Sequence, residues 1–137
     1  MRSLQVYGLP ALSAFCLAAA FRSTGLAWLA WCGLAPFFYL LLQPRLTWKQ
    51  SLQAGACFGL LFYVLLLHWL FALHPLDWLG FDGLSSVALL LLAILLIAGI
   101  KTVFLLCFSW SMAVLREKSS KKKVLYLVLG WLAVEWL

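Results

Sequence analysis

The chain has 137 residues, of which 66% are hydrophobic and only 10% are charged, and its mean hydropathy is +1.07. Average soluble domains are about 45–50% apolar and about 25% charged, and a fold of this size has too much surface to hide the excess. A water-soluble domain is therefore excluded. The net charge of +6 comes from basic residues beside hydrophobic runs, which suits anchoring at anionic lipid rather than nucleic-acid binding.

Apolar runs predict an all-α membrane protein with about five transmembrane helices. The runs cover residues 4–21, 26–42, 52–73, 84–115 and 124–137. In the first run, Pro10 is expected either to kink the helix or to mark where it becomes regular. Before the third run, residues 47–53 form an amphipathic entry with Trp48 and Lys49, which suits a membrane interface. All five runs are assigned to one transmembrane domain, residues 1–137.

The third and fourth runs carry two further signals. Gly55 and Gly59 have GxxxG spacing, which allows close helix approach, and packing within the chain is favoured over dimerisation. The fourth run is about 32 residues long, too long for an upright span. It contains Lys101, whose ammonium is expected to snorkel or to pair with another helix rather than to act in chemistry.

The last part of the chain combines a basic loop with a short apolar run. Residues 116–123 are mostly basic or polar and are predicted to form a loop. The apolar run that follows has about 14 residues and no polar ending, so a truncated final helix, and hence a fragment or truncated gene product, is expected.

The distribution of basic residues predicts the orientation. With a cytoplasmic N-terminus, eight basic residues lie inside and only Arg22 lies outside, a strong positive-inside bias. The inside set is Arg2, Arg45, Lys49, Arg116, Lys118, Lys121, Lys122 and Lys123. The turn at residues 74–83 then faces the exterior.

Candidate functional residues concentrate at this outer side. His74, Asp77 and Asp82 suggest a metal site only weakly, because Pro75 interrupts the helix, and turn-forming roles are favoured. Glu135 stands between tryptophans, where it either lies at the interface, pairs with a base, or shapes a polar pocket. The residues predicted to face lipid or substrate are Trp69, His74, Trp78, Glu135 and Trp136.

The four cysteines, Cys16, Cys32, Cys57 and Cys107, lie in apolar runs without metal-binding spacing. They are expected to be small buried hydrophobes. No catalytic residue, cofactor or metal is assigned to the chain.

Several motifs, in order, carry a resemblance to a known family. They are LAPFF at residues 34–38, GACFGLLF at 55–62 running into HWL at 68–70, a glycine-containing turn, and GWLAVEWL at 130–137. With these motifs the chain resembles the N-terminal membrane region of apolipoprotein N-acyltransferases over nearly its whole length.

The resemblance implies a multi-pass protein of the bacterial inner membrane. Such an enzyme moves an acyl chain from a phospholipid to the α-amino group of a lipoprotein's diacylglyceryl-cysteine. It implies that a Glu, a Cys and a Lys of a nitrilase-like periplasmic domain perform the covalent chemistry, and none of these is matched here. The implied partners are membrane phospholipids and, with the whole enzyme present, the lipoprotein substrate; these residues alone are expected to be inactive.

The alternative is a small self-contained membrane protein that acts as a transport or assembly partner. It predicts that polar groups converge inside the helix bundle around Lys101 and His68. The oligomeric state is open in both interpretations.

Overall fold

The computed structural model describes residues 3–115 and 120–136, leaving aside the side chains of Ser3, Ser120, Lys121 and Glu135. Within these residues all regular elements are helical, which confirms the predicted all-α class. The α-helices are α1 (Ser3–Arg22), α2 (Leu29–Cys32), α3 (Ala35–Leu42), α4 (Trp48–Leu67), α5 (Gly83–Val114) and α6 (Ser120–Trp136). Short 3₁₀ helices lie at Thr24–Leu26, His68–Leu73 and Asp77–Leu79.

Three helical segments of the described chain are long and apolar enough to cross a membrane. They are Leu4–Arg22, Trp48–Leu73 and Gly83–Val114. The apolar segment Leu29–Leu42 is shorter, and α6 has 17 residues. Among the described residues, three of the five predicted transmembrane helices are therefore long enough to span a membrane.

The predicted helix over residues 26–42 is present as one shorter apolar helical segment, Leu29–Leu42. It is interrupted between α2 and α3 at Gly33 and Leu34, whose backbone stays in the right-handed helical region. Pro36 lies in the first turn of α3. A proline inside a continuous helix removes one backbone hydrogen bond and its ring collides with the carbonyl four residues earlier, here that of Cys32. In a first turn the missing N–H has no helical partner to lose. The N–H of Phe37, next in this turn, donates instead to Ser13 Oγ of α1 at 2.9 Å.

Two helix starts also differ from prediction. Helix α4 begins at Trp48, because Thr47 forms a capping box with Gln50: Gln50 N donates to Thr47 Oγ1 at 3.3 Å, and Thr47 N donates to Gln50 Oε1 at 3.0 Å. Helix α6 begins at Ser120, so the lysines at 121–123 lie in its first turns rather than in a loop, as suits a good helix former. The rest of the predicted loop, residues 116–119, lies outside the described residues.

Other boundaries agree more closely. Helix α5 matches its predicted run within a residue. Helix α1 continues through Pro10 from Ser3, so Pro10 does not mark the start of the helix. The end of the third run, His68–Leu73, is 3₁₀ rather than α-helical.

Side-chain contacts fix the directions of the helices. Helices α4 and α5 are antiparallel, since Ser51 lies beside Ser109 while Gly59 faces Thr102. Helices α1 and α4 are parallel, since Cys57 Sγ lies 3.6 Å from Tyr7 O and the rings of Phe21 and Phe62 are 6.2 Å apart. One end of the bundle thus carries the His68–Leu73 and Asp77–Leu79 segments and is called the turn end. The opposite end is called the basic end, because it holds Arg45 and Lys49.

Small residues close the α4–α5 seam, defined by Ser51, Gly55, Gly59, Thr102 and Ser109. A Cβ on Gly55 would lie 3.2 Å from the Leu105 carbonyl oxygen, and one on Gly59 would lie 2.8 Å from Thr102 Oγ1. Ser51 Oγ donates to the Ser109 carbonyl at 2.8 Å. The two glycines therefore serve packing within the chain, as predicted from their spacing.

Beside the seam, rings fill the space between α3, α4, α5 and α6. Phe58 stacks on Phe37 with centroids 4.5 Å apart and planes 11° apart, and on Phe62 at 5.6 Å and 10°. Trp131 meets Phe38 edge-on at 5.6 Å. We call Phe37, Phe38, Phe58, Phe62, Phe108 and Trp131 the aromatic cluster. In lipid such packing holds helices together by dispersion rather than by exclusion of water.

Candidate lipid-facing site

The turn after α4 is tied to the first turn of α5 by one hydroxyl. Ser86 is fully buried, and its Oγ accepts a hydrogen bond from Leu76 N at 3.1 Å. The same oxygen lies 3.0 Å from His74 Nδ1. Since the hydroxyl still has its own proton to donate, the geometry favours donation to Nδ1, which leaves the His74 proton on Nε2.

The acidic part of this turn forms the cap of α5. Ser85 N donates to Asp82 Oδ1 at 3.0 Å, and the Ser85 hydroxyl also donates to this carboxylate. These hydrogen bonds lower the pKa of the exposed Asp82 below its ordinary value of 3.8, and the bond from the Ser85 hydroxyl has the largest effect. Gly80, at φ +80°, supplies the left-handed residue that ends the Asp77–Leu79 segment. Turn formation and capping therefore account for Gly80 and Asp82.

Metal-binding geometry is not found in the part of the chain that the structure describes. No group of three or more His, Cys, Asp or Glu residues there could hold an ion. Cys16 and Cys57 are half-buried, and Cys32 and Cys107 are exposed on their helices. Cys32 and Cys107 lie on apolar helix faces that would meet lipid, and Cys107 also lines a groove between α5 and α6.

The predicted lipid-facing residues do not form one pocket. Trp69, Trp78 and Trp136 are exposed to 56%, 74% and 88%, respectively. Trp69 and Trp78 lie at the turn end, whereas Trp136 follows Val134, which lies beside Phe104 of α5, well short of that end. His74 is engaged with Ser86. The side chain of Glu135 lies outside the described residues, although its backbone belongs to α6.

A two-part cleft opens at the turn end, and sequence reasoning missed it. Its mouth, of about 340 Å³, lies between α1 and the end of α4 and is lined by Ala18, Phe21, Arg22, Leu66, His68 and Trp69. Its inner part, of about 390 Å³, is lined by Leu17, Phe21, Ala30, Phe62, Leu66 and Trp131. Phe21 and Leu66 border both parts. The one sequence feature that could have pointed to this cleft is Arg22, the only basic residue predicted on the exterior side of the membrane.

His68 at the mouth of the cleft has a defined tautomer. Its Nδ1 lies 2.6 Å from the Leu65 carbonyl oxygen. A carbonyl only accepts, so Nδ1 carries the proton and, in the neutral ring, Nε2 is an acceptor. The cleft mouth thus offers the Arg22 guanidinium as donor and an imidazole nitrogen as acceptor.

Lys101 lines neither part of this cleft. Its position in α5 is about 27 Å along the axis from Gly83, at 1.5 Å per residue. The side chain is half-buried, and no hydrogen bond or ion pair joins it to another described residue. A hydrocarbon layer is about 30 Å thick, so the ammonium is within snorkelling distance of the basic-end interface.

These features define an all-helical membrane protein. A sequence model described as the apolipoprotein N-acyltransferase N-terminal domain matches residues 13–137. The apolipoprotein N-acyltransferase of Gloeobacter violaceus is 32% identical over 118 residues, which cover 83% of this chain and 21% of that protein. No solved structure matches the chain significantly.

The chain therefore belongs to the apolipoprotein N-acyltransferase N-terminal domain family. This confirms the resemblance drawn from the motifs. The chain spans about a fifth of the length of the curated relative it matches.

Proposed function

We propose that these residues are the membrane domain of an apolipoprotein N-acyltransferase in the bacterial inner membrane. The family match over residues 13–137 is the observation that carries the proposal. The enzyme would transfer an acyl chain from a phospholipid to the N-terminal diacylglyceryl-cysteine of a lipoprotein. The covalent steps belong to a catalytic domain outside these residues, so the 137 residues alone are inactive.

The domain's part in this reaction is to bring lipid-bearing substrates to the catalytic domain. The exposed rings of Trp69, Trp78 and Trp136 suit the boundary between lipid and water. His74 Nε2 and the Glu135 carboxylate would add polar contacts at the same level. Trp69, His74 and Trp78 belong to the turn end, next to which the catalytic domain would work, and α6 runs toward that end as far as Trp136.

The proposed orientation has a cytoplasmic N-terminus and an outward turn end. The basic end gathers Arg45, Lys49 and the lysines that begin α6, whereas the turn end has Arg22. Cations beside anionic cytoplasmic lipid are favoured. Phospholipids are the proposed permanent partners, and the lipoprotein is the proposed substrate of the whole enzyme.

A complementation experiment tests the proposal. A strain depleted of its own enzyme receives the 137-residue chain, or a fusion of this chain to the remainder of the Gloeobacter violaceus relative. Mass spectrometry of lipoprotein N-termini should find N-acylation with the fusion and none with the chain alone. Restoration by the chain alone would overturn the inactivity, and failure of a stably expressed fusion would overturn the assignment as membrane domain.

Orientation is tested separately by cysteine labelling. In a background without native cysteines, Asp77→Cys should react with an impermeant reagent from outside, whereas Lys122→Cys should react only after the membrane is opened. The reverse pattern would contradict the proposed topology without touching the family assignment.

The alternative, a self-contained transport or assembly protein, is not favoured. It requires polar groups that converge around Lys101 and His68. Thr102, next to Lys101, faces Gly59, and His68 comes nine residues later, about 13 Å further along α4. Two polar groups so far apart do not share an internal site.

A further inference from the structure

We infer that the two-part cleft at the turn end binds one anionic phospholipid of the outer leaflet. Its phosphate lies on Arg22, a headgroup hydroxyl on His68, and an acyl chain between Phe62 and Trp131. The inference relies on the proposed function only for the outward orientation of the turn end. It concerns a bound lipid and requires no acyl transfer.

The cleft has the polarity order of a phospholipid. Its charged group and its imidazole, Arg22 and His68, lie at the mouth, and Tyr63 brings the one hydroxyl group of the inner part. The inner part continues past Phe21 and Leu66 toward the aromatic cluster and has a mainly apolar wall. Binding sites for amphiphiles combine an apolar wall with a few polar groups that fix the orientation. A single ligand with a charged head and a flexible apolar chain matches both parts.

Arg22 is available to an anion at this position. It is exposed in the last turn of α1, and it makes no ion pair with a described residue. Of the carboxylates at the turn end, Asp82 accepts hydrogen bonds from Ser85. A guanidinium presents parallel N–H donors that match two phosphate oxygens.

The headgroup follows from charge and tautomer. No described residue that lines the mouth is a carboxylate, so the ammonium of a zwitterionic headgroup would have no counter-charge there. His68 Nδ1 already donates to the Leu65 carbonyl, which leaves Nε2 to accept a hydrogen bond. A phosphatidylglycerol-type headgroup supplies one net negative charge for Arg22 and a hydroxyl donor for His68.

Lipid retention by the intact 137-residue chain tests this inference. The protein is placed in nanodiscs with equal amounts of phosphatidylglycerol and phosphatidylcholine, and the lipids that remain bound are identified by native mass spectrometry. Wild type should retain one phosphatidylglycerol in preference to phosphatidylcholine. Arg22→Gln should lower this retention about tenfold, the usual order for a hydrogen bond to a charged group. Equal retention of both lipids by wild type would overturn the inference.

The matched control is Arg45→Gln, the same change at an exposed arginine of the basic end. It should leave retention unchanged, and an equal loss in both variants would show general surface attraction and overturn the site. Ala30→Phe, which fills the inner part, should remove retention while the melting temperature stays that of wild type. If the Ala30→Phe variant folds and retains the lipid as wild type does, the acyl chain does not occupy the inner part of the cleft, and the inference is overturned.

A measurement on the unmodified chain guards against variants that fail to fold. Phosphatidylglycerol with a photoreactive group in one acyl chain should crosslink to peptides that contain Phe62 or Trp131. Crosslinks confined to other helix faces would overturn the inference. Loss of complementation by the fusion protein leaves both lipid measurements standing, so failure of the proposed function can be told apart from failure of this site.

Discussion

The α4–α5 seam and the aromatic cluster join helices in opposite ways. In the seam, glycine and serine bring two backbones so close that a Cβ on Gly55 has no room. In the aromatic cluster, large flat rings such as Phe58 and Trp131 hold the helices further apart. These rings do not fill all the space between the helices, and two of them, Phe62 and Trp131, line the inner part of the cleft. Small residues thus make a closed joint, while large ones make a joint with a binding space at its side.

The largest expected effect concerns the centre of the aromatic cluster. Phe58→Ala should destabilise the protein by about 3–5 kcal/mol, the usual cost of a large cavity in a packed interior. Phe58 is fully buried and stacks on two rings. Unfolding in mixed detergent measures the loss. Phe15→Ala, on an exposed face of α1, is the control, and equal losses would contradict the cluster's role.

The seam should respond to added rather than removed volume. Gly55→Ala is expected to cost about 1–3 kcal/mol, since a backbone carbonyl and the Ser109 side chain stand where the methyl group must go. The control is Gly99→Ala on α5, where a Cβ meets nothing within 4 Å and better helix propensity should stabilise by up to about 1 kcal/mol. Thermal denaturation compares them. Similar shifts of the same sign would mean that the seam is not close-packed.

Two buried serines allow the contribution of a hydrogen bond to stability to be distinguished from that of packing alone. Ser13→Ala should cost about 1–3 kcal/mol, because the N–H of Phe37 would be left without a partner. Ser109 Oγ is buried and has no hydrogen-bond partner among the described residues, so Ser109→Ala should be neutral or stabilising. Chemical denaturation of both variants in one detergent gives the difference. A loss in Ser109→Ala as large as in Ser13→Ala would contradict this assignment.

The smallest effect is expected at the exposed start of α5, beyond both regions. Hydrogen bonds from Ser85 lower the pKa of Asp82 in the folded state. A lowered folded-state pKa contributes stability above the ordinary value of 3.8, and this stability is lost as the pH falls below it. Asp82→Asn keeps a capping oxygen and should flatten the acid side of a pH–stability profile. If the pH–stability profile is unchanged in Asp82→Asn, the titration of Asp82 does not contribute to the loss of stability in acid.

The sequence predicted the long helices because run length decides them. Nothing interrupts residues 84–115, and α5 fills that run. Average hydropathy could not predict the interruption of the 26–42 run. Pro36 lacks the N–H that a continuous helix would use, and the N–H of Phe37 donates to Ser13, which is 24 residues away on α1. At residues 121–123 the error was the opposite one: the charge of the lysines predicted a loop, but these residues belong to the first turns of α6.

The candidate site was less predictable than the fold. Exposed tryptophans could be named from composition and position, and Trp69, Trp78 and Trp136 are exposed. The cleft could not be named, because Arg22 and His68 are 46 positions apart and meet only through the parallel packing of α1 and α4. Such a meeting depends on helix order in space, which apolar runs do not encode.

The short length of the segment that contains α2 and α3 has a consequence for the surrounding bilayer. The apolar segment Leu29–Leu42 is about 21 Å long at helical rise, against a hydrocarbon layer of about 30 Å. Lipid that meets this short segment has to compress, at a cost of fractions of a kcal/mol per Å. A thinned membrane on this side would lower the outer leaflet toward the mid-plane, and lipids there would have less hydrocarbon to cross when they are drawn out.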